Sequence, residues 1–97
     1  MPTVVLAPAL ARWLAAEPGV GVGERRLNVA GDNLRGIFDR LFQDFPQLRG
    51  YVLDERGALR HHVVAFIDGS AVADKRALTD PVPANGEVYL FQALSGG

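Results

Sequence analysis

Between Asn33 and Pro46 the apolar residues recur at one spacing. Leu34, Ile37, Phe38, Leu41, Phe42 and Phe45 fall at i, i+3, i+4, i+7, i+8 and i+11. That period lays them along one stripe of an α-helix, and such a stripe has to be covered by other elements. Asn33 is placed to cap the helix, its side-chain oxygen accepting a backbone N–H that the first turn leaves unpaired. Pro46 is expected to end it, because proline donates no hydrogen bond and restricts Phe45 before it. Gly36 weakens the first turn by about 1 kcal/mol relative to alanine. The spacing therefore predicts one main helix over about 33–45. Its phenylalanines read as core rather than as a ligand pocket.

The flanking segments read as strands. Thr3 to Ala7 is rich in β-branched residues and stops at Pro8. Leu10 to Ala16 reads as a short helical turn with Trp13 over the core. Pro18, Gly19, Gly21 and Gly23 mark a loop. Glu24 to Ala30 resumes as a strand in which Leu27 and Val29 alternate with Arg26 and Asn28, so the first two strands form a hairpin. After the helix, Tyr51 to Leu53, a turn at Asp54–Gly57, and Leu59 to Asp68 read as a second strand pair. His61 and His62 would then point to opposite faces of one strand and could not share a metal ion. Asp68-Gly69 is a tight-turn signal, Ala71 to Lys75 a short edge strand, and Leu78 a core plug between loops. Pro81, Pro83 and Asn85-Gly86 make the next turn, and Glu87 to Gln92 is the last strand.

Two strands, one helix and then two or three strands give an α+β fold. One amphipathic helix on one face of a mixed sheet of four to five strands is the β-grasp arrangement. At 97 residues the chain is expected to be a single domain, 1–97, with a flexible tail over 92–97.

Composition excludes several functions. A net charge of -1, from 10 basic and 11 acidic residues, gives no electrostatic case for nucleic acid. There is no cysteine, hence neither a disulfide framework nor a thiolate metal site. Val4 to Ala16 is apolar but lacks a preceding basic residue and is broken by Pro8 and Arg12, unlike a secretory leader. No apolar run is long enough to span a bilayer. The expectation is a soluble cytoplasmic protein without a bound cofactor or metal.

The sequence closes on Leu94-Ser95-Gly96-Gly97. Two glycines without side chains let another protein's backbone approach closely. The one chemical group such an end offers is its carboxylate, ionised at neutral pH with a reference pKa of about 3.5. A frayed terminus would carry the same residues.

Four stretches together resemble the ubiquitin-like sulfur carriers of the MoaD/ThiS family, most closely the CysO type of cysteine biosynthesis. They are the apolar strand ending at Pro8, with Leu10 and Arg12 after it; Gly31-Asp32-Asn33-Leu34 at the helix start; Leu53-Asp54 through Gly57, Leu59 and Arg60 to Phe66-Ile67-Asp68-Gly69; and Glu87-Val88 with Leu90, leading to the Gly-Gly end. Asp68 stands where the family usually has asparagine, Asn85-Gly86-Glu87 replaces Gly-Asp-Glu, and Gln92 replaces a common proline. These departures fall on turns.

The resemblance implies a protein cosubstrate rather than an enzyme. An E1-like adenylyltransferase/sulfurtransferase would use ATP to adenylate the Gly97 carboxylate. A sulfur donor would displace AMP to leave a thiocarboxylate. The sulfur would pass to an acceptor enzyme such as a cysteine synthase or a molybdopterin synthase large subunit. Leu94, Ser95 and Gly96 would form the flexible lead, and the free carrier would be a monomer. Docking would use the sheet face opposite the helix. Tyr89 and Phe91 share one face of the last strand, opposite that of Val88 and Leu90. By analogy with ubiquitin-like strands, Phe66 would join them as an aromatic partner surface. The alternatives are a molybdopterin synthase small subunit, a modifier conjugated to lysines through Gly97, and a β-grasp binding module with an inert tail.

Overall fold

The apolar stripe of the predicted helix is buried as far as its last turn: Leu34, Ile37, Phe38 and Leu41 are inaccessible, Phe42 nearly so, and Phe45 partly buried. The computed structural model describes residues 1–11 and 24–92. In chain order the elements are β1 (Thr3–Leu6), α1 (Pro8–Ala11), β2 (Arg25–Asn28), α2 (Leu34–Asp44), α3 (Pro46–Val52), β3 (Val63–Ile67), β4 (Ser70–Ala71) and β5 (Glu87–Gln92). The expected helical turn at Leu10–Ala16 is seen as far as Ala11. Trp13 and the loop glycines lie outside the described residues.

Helix α2 starts as its sequence dictates. Asn33 Oδ1 accepts the Gly36 N–H at 2.8 Å. The remaining first-turn donors go to a distant loop, Leu34 N–H to the Asp80 carbonyl at 3.0 Å and Arg35 N–H to the Leu78 carbonyl at 2.8 Å. The helix therefore leaves none of its first three N–H groups unpaired. Just before it, the chain passes so close that a Cβ on Gly31 would lie 2.7 Å from Ile37 Cγ1 and 3.0 Å from the Ile37 nitrogen.

Pro46 corrects the sequence reading. It ends α2, with Phe45 at φ -133° and ψ 71°, but it also opens α3 as its first residue. A proline costs nothing there, because that N–H has no partner in any helix. Tyr51 and Val52, expected in a strand, are helical, and Leu53 makes only an isolated bridge with Leu59. The missed signal is Leu48 and Val52 at i and i+4, both fully buried.

The turn at Asp54–Gly57 forms as expected. Asp54 Oδ1 accepts N–H groups from Arg56 at 2.8 Å and Ala58 at 3.1 Å. Strand β3, however, begins at Val63 rather than Leu59, so His61 and His62 lie in a turn. Their rings meet edge-on, centroids 5.3 Å apart, which removes the opposite-faces argument against a shared metal. No group of three metal-ligating side chains converges among the described residues. The expected edge strand at 71–75 shrinks to β4, because Asp74 folds into its own turn, Oδ1 accepting from Arg76 and Ala77.

The sheet runs β2-β1-β5-β3-β4, with β1 and β5 parallel and the other pairs antiparallel. Val4, Leu6, Val63, Ala65, Val88 and Leu90 alternate onto one face and join α2 and α3 in a single core. Each of the valines and leucines among them contributes about 1.5–3 kcal/mol on full burial. Leu78 plugs this core from the loop before β5, as expected, and does so at a left-handed φ of 56°. That conformation costs about 1–2 kcal/mol for a residue with a Cβ, a cost its burial offsets. Among the described residues no helix is long and apolar enough to cross a membrane.

Candidate docking face and the root of the tail

The opposite face of the sheet has a readable register. Val5 pairs with Arg26 on one side and Tyr89 on the other; Tyr89 pairs with Phe66, and Phe66 with Ala71. One row across the five strands is therefore Arg26, Val5, Tyr89, Phe66, Ala71. Phe91 stands one row on, opposite Val64. The three aromatics predicted from the alternation of β5 and β3 do meet. Phe66 and Phe91 stack with centroids 5.8 Å apart, and Tyr89 tilts against Phe91 at 5.9 Å. All three are half-buried, while Val88 and Leu90 on the other face are inaccessible.

The rim of this face is polar. Arg26 Nη2 donates to Glu87 Oε2 at 3.0 Å across β1, and Arg26 also lies 3.6 Å from Glu24. Asp68 Oδ1 accepts the Glu87 N–H at 2.8 Å, tying the β3–β4 turn to the start of β5. Arg26 alternates with Leu27 along the sequence, and the β1–β2 register puts it on this face. Its pairing with Glu87 depends on the β1–β5 register, which no local pattern encodes. Val5 was also missed: it belongs to this face yet is 1% exposed.

Strand β5 lies in the middle of the sheet, between β1 and β3, and carries the chain to Gln92, which pairs with Val63. Gln92, expected to end the last strand and to begin the tail, is part of the strand. Leu94, Ser95, Gly96 and Gly97 lie outside the described residues. The chemistry available elsewhere is modest. Two carboxyls, Asp54 and Asp74, are held below the ordinary value of 3.8, each chiefly by the backbone N–H groups donated to it.

No protein-family model and no curated protein matches the sequence. Solved structures do match. SAMP1 from Haloferax volcanii is 26% identical, covering 98% of this chain and 99% of that one, with a TM-score of 0.68. The Amycolatopsis orientalis BexX/CysO complex contains a chain 17% identical over 100% of both, with a TM-score of 0.78. Mycobacterium tuberculosis CysO is 17% identical, over 94% of this chain and 99% of that one, with a TM-score of 0.72. The fold is the ubiquitin-like β-grasp fold of these neighbours.

Proposed function

We propose that this ubiquitin-like β-grasp chain is a sulfur carrier whose Gly97 carboxylate is its reactive group. Its neighbours in structure are the CysO and SAMP1 carrier and modifier proteins. The observation that carries the reading is the position of β5: the strand leading to the Gly-Gly end is braced on both sides in the sheet, and its outer face holds Tyr89 and Phe91 beside Phe66. A rigid body with an aromatic face would be held by a partner while Leu94, Ser95, Gly96 and Gly97 thread into that partner's ATP site. The Gly97 carboxylate attacks the α-phosphate of ATP, pyrophosphate leaves, and an acyl-adenylate forms. A sulfur donor then displaces AMP and leaves a thiocarboxylate. The sulfur goes on to an acceptor enzyme in the biosynthesis of cysteine or another sulfur-containing metabolite.

In this reading the chain is cosubstrate and not catalyst. ATP belongs to the E1-like adenylating partner, and the acceptor is a cysteine synthase or molybdopterin synthase large subunit. These steps place it in the cytoplasm. Intact-mass measurement of the protein isolated from its host tests the reading. The expected species ends at Gly97 with one oxygen replaced by sulfur, and deletion of Gly97 abolishes its formation. A Gly97-deleted chain that retained full activity in the host would end the proposal.

A second reading is favoured by one observation, the 26% identity to a small archaeal modifier protein. In that case the same adenylate is attacked by a lysine of another protein, and isopeptide-linked ladders dependent on Gly97 appear in place of the sulfur-bearing mass.

A further inference from the structure

The inventory of strong nucleophiles in this chain is short. It has no cysteine and one lysine, Lys75; the other nine basic residues are arginines. A guanidinium group stays protonated and accepts no acyl group, whereas a lysine amine does. Serine, threonine and tyrosine hydroxyls are weak nucleophiles without an adjacent base. To an activated carboxyl group the protein therefore presents a single side-chain amine.

Lys75 sits where that amine can be reached. It lies in the loop between β4 and β5, and its Nζ donates to the His61 carbonyl at 3.2 Å on the exposed surface. The backbone holds the loop there, because the Leu59 N–H donates to the Lys75 carbonyl at 2.9 Å. Among the described residues no ion pair involves Lys75. It lines an open cleft together with Asp54, Arg60, His61, His62 and Arg76. The two imidazoles of that cleft can take the proton that an ammonium group must lose before it attacks.

We infer that Lys75 receives the acyl group of an activated Gly97 from a second copy of this chain. The Lys75 amine attacks the Gly97 carbonyl carbon of the adenylate. The C–N bond forms as the bond to AMP breaks, and the proton of the amine passes to an imidazole or to water. The product is an isopeptide-linked pair. Each copy brings one lysine and one Gly97, so longer chains would grow through the same linkage alone. The acceptor belongs to a second copy because a tail threaded into its partner points its end away from its own body. That Gly97 becomes an acyl donor rests on the second reading proposed above; the choice of Lys75 as acceptor does not.

The test is mass analysis of the full chain isolated from its host, intact and after trypsin. An unmodified chain is cut after both Lys75 and Arg76 and releases its end as residues 77–97. The expected conjugate has twice the chain's mass less one water. It is not cut after Lys75, and yields residues 61–76 joined through Lys75 to residues 77–97 of the second copy. Lys75→Arg keeps the charge and, checked for a native amide spectrum, is expected to lower the yield of the pair by about ten-fold or more. The Lys75→Arg/Arg40→Lys double variant moves the amine to an exposed position on α2 and is expected to leave the yield as low. Undiminished pairing in Lys75→Arg, or its restoration in the double variant, would overturn the inference. So would a monomer lighter by one water, in which Lys75 is joined to its own tail. Gly97 found with sulfur, or joined to other proteins, with no branch at Lys75 ends this inference and leaves the function proposed above standing. Gly97 found only as a free carboxylate ends both.

Discussion

Phe66 and Phe91 stack across β3 and β5 with their ring planes only 5° apart, although they are diagonal rather than directly opposite neighbours. Tyr89 fills the position opposite Phe66, so three rings form one surface on the side of the sheet away from the core. An aromatic pair is worth about 0.5–1.5 kcal/mol beyond the area it buries. Because the rings are half-buried, truncating one removes little core. Phe91→Ala is expected to lower unfolding stability by about 1–2 kcal/mol in urea titrations. In contrast, under the function proposed above, kcat/KM for ATP-dependent activation by the E1-like enzyme should fall by ten-fold or more, about 1.4 kcal/mol or above, as for an interface anchor. A loss of stability with kcat/KM unchanged would make the stack structural alone.

Gly31 is expected to tolerate no side chain. A Cβ there would sit 2.7 Å from Ile37 Cγ1 and 3.0 Å from the Ile37 nitrogen, and its φ of 155° adds strain. The second atom is helix backbone and cannot rotate away. Gly31→Ala should cost about 1–3 kcal/mol, the range for forced overpacking, visible as a lower urea midpoint at unchanged m-value.

Arg35 ties together the loops at 54–58 and 74–78, which the Leu59 N–H also links through the Lys75 carbonyl. Its guanidinium donates to the Gly57 carbonyl at 2.8 Å, the Arg76 carbonyl at 2.9 Å and the Ala77 carbonyl at 3.2 Å. Replacement by methionine keeps the stem and removes the donors. The expected loss is about 1–2 kcal/mol, at the low end for charged donors because these bonds are partly exposed. Hydrogen exchange should show the effect as local opening at residues 54–58 and 74–78, with β1 and β5 still protected.

Acid should weaken the same loops. Asp54 and Asp74 have folded-state pKa values below the ordinary 3.8 because backbone N–H groups favour the charged form. A depressed pKa means that the unfolded chain binds protons more readily. The stability these carboxylates contribute is therefore complete above about 3.8 and lost as pH falls through their lower folded values. The Asp54→Asn/Asp74→Asn double variant, followed by urea titration from neutral pH to below 3, should be less stable than the parent at neutral pH. The two curves should converge at the acid end.

Much of the fold was legible because its signals are local. The stripe of α2, the Asn33 cap, the Asp54–Gly57 turn, the Asp68-Gly69 turn, the bounds of β5 and the burial of Leu78 each follow from a few neighbouring residues. The errors arose where one residue type serves two ends. Pro46 is equally suited to follow a helix and to begin one, and only the burial of Leu48 and Val52 distinguishes the cases. The histidines were misplaced because β-propensity ran continuously from Leu59, whereas pairing starts at Val63. The aromatic face was readable from alternation in β5 and the position of Phe66. The Arg26–Glu87 pair, the reach of Arg35 and the cleft around Lys75 were not, since each joins segments separated by long stretches of chain. The Gly97 tail itself lies outside the described residues.

The parallel pairing of β1 with β5 has a consequence for synthesis. The strand from the start of the chain and the strand next to the Gly-Gly end are immediate neighbours at the centre of the sheet. A growing chain therefore has no complete sheet until its final strand has been made. Before then β1 and β3 lack the neighbour they share, and the stripe of α2 has no finished surface to cover it. Such non-local closure is slow, but it works as a check. A chain broken off before β5 cannot complete the outer face of the sheet, so under the function proposed above a tail would always come attached to a finished body.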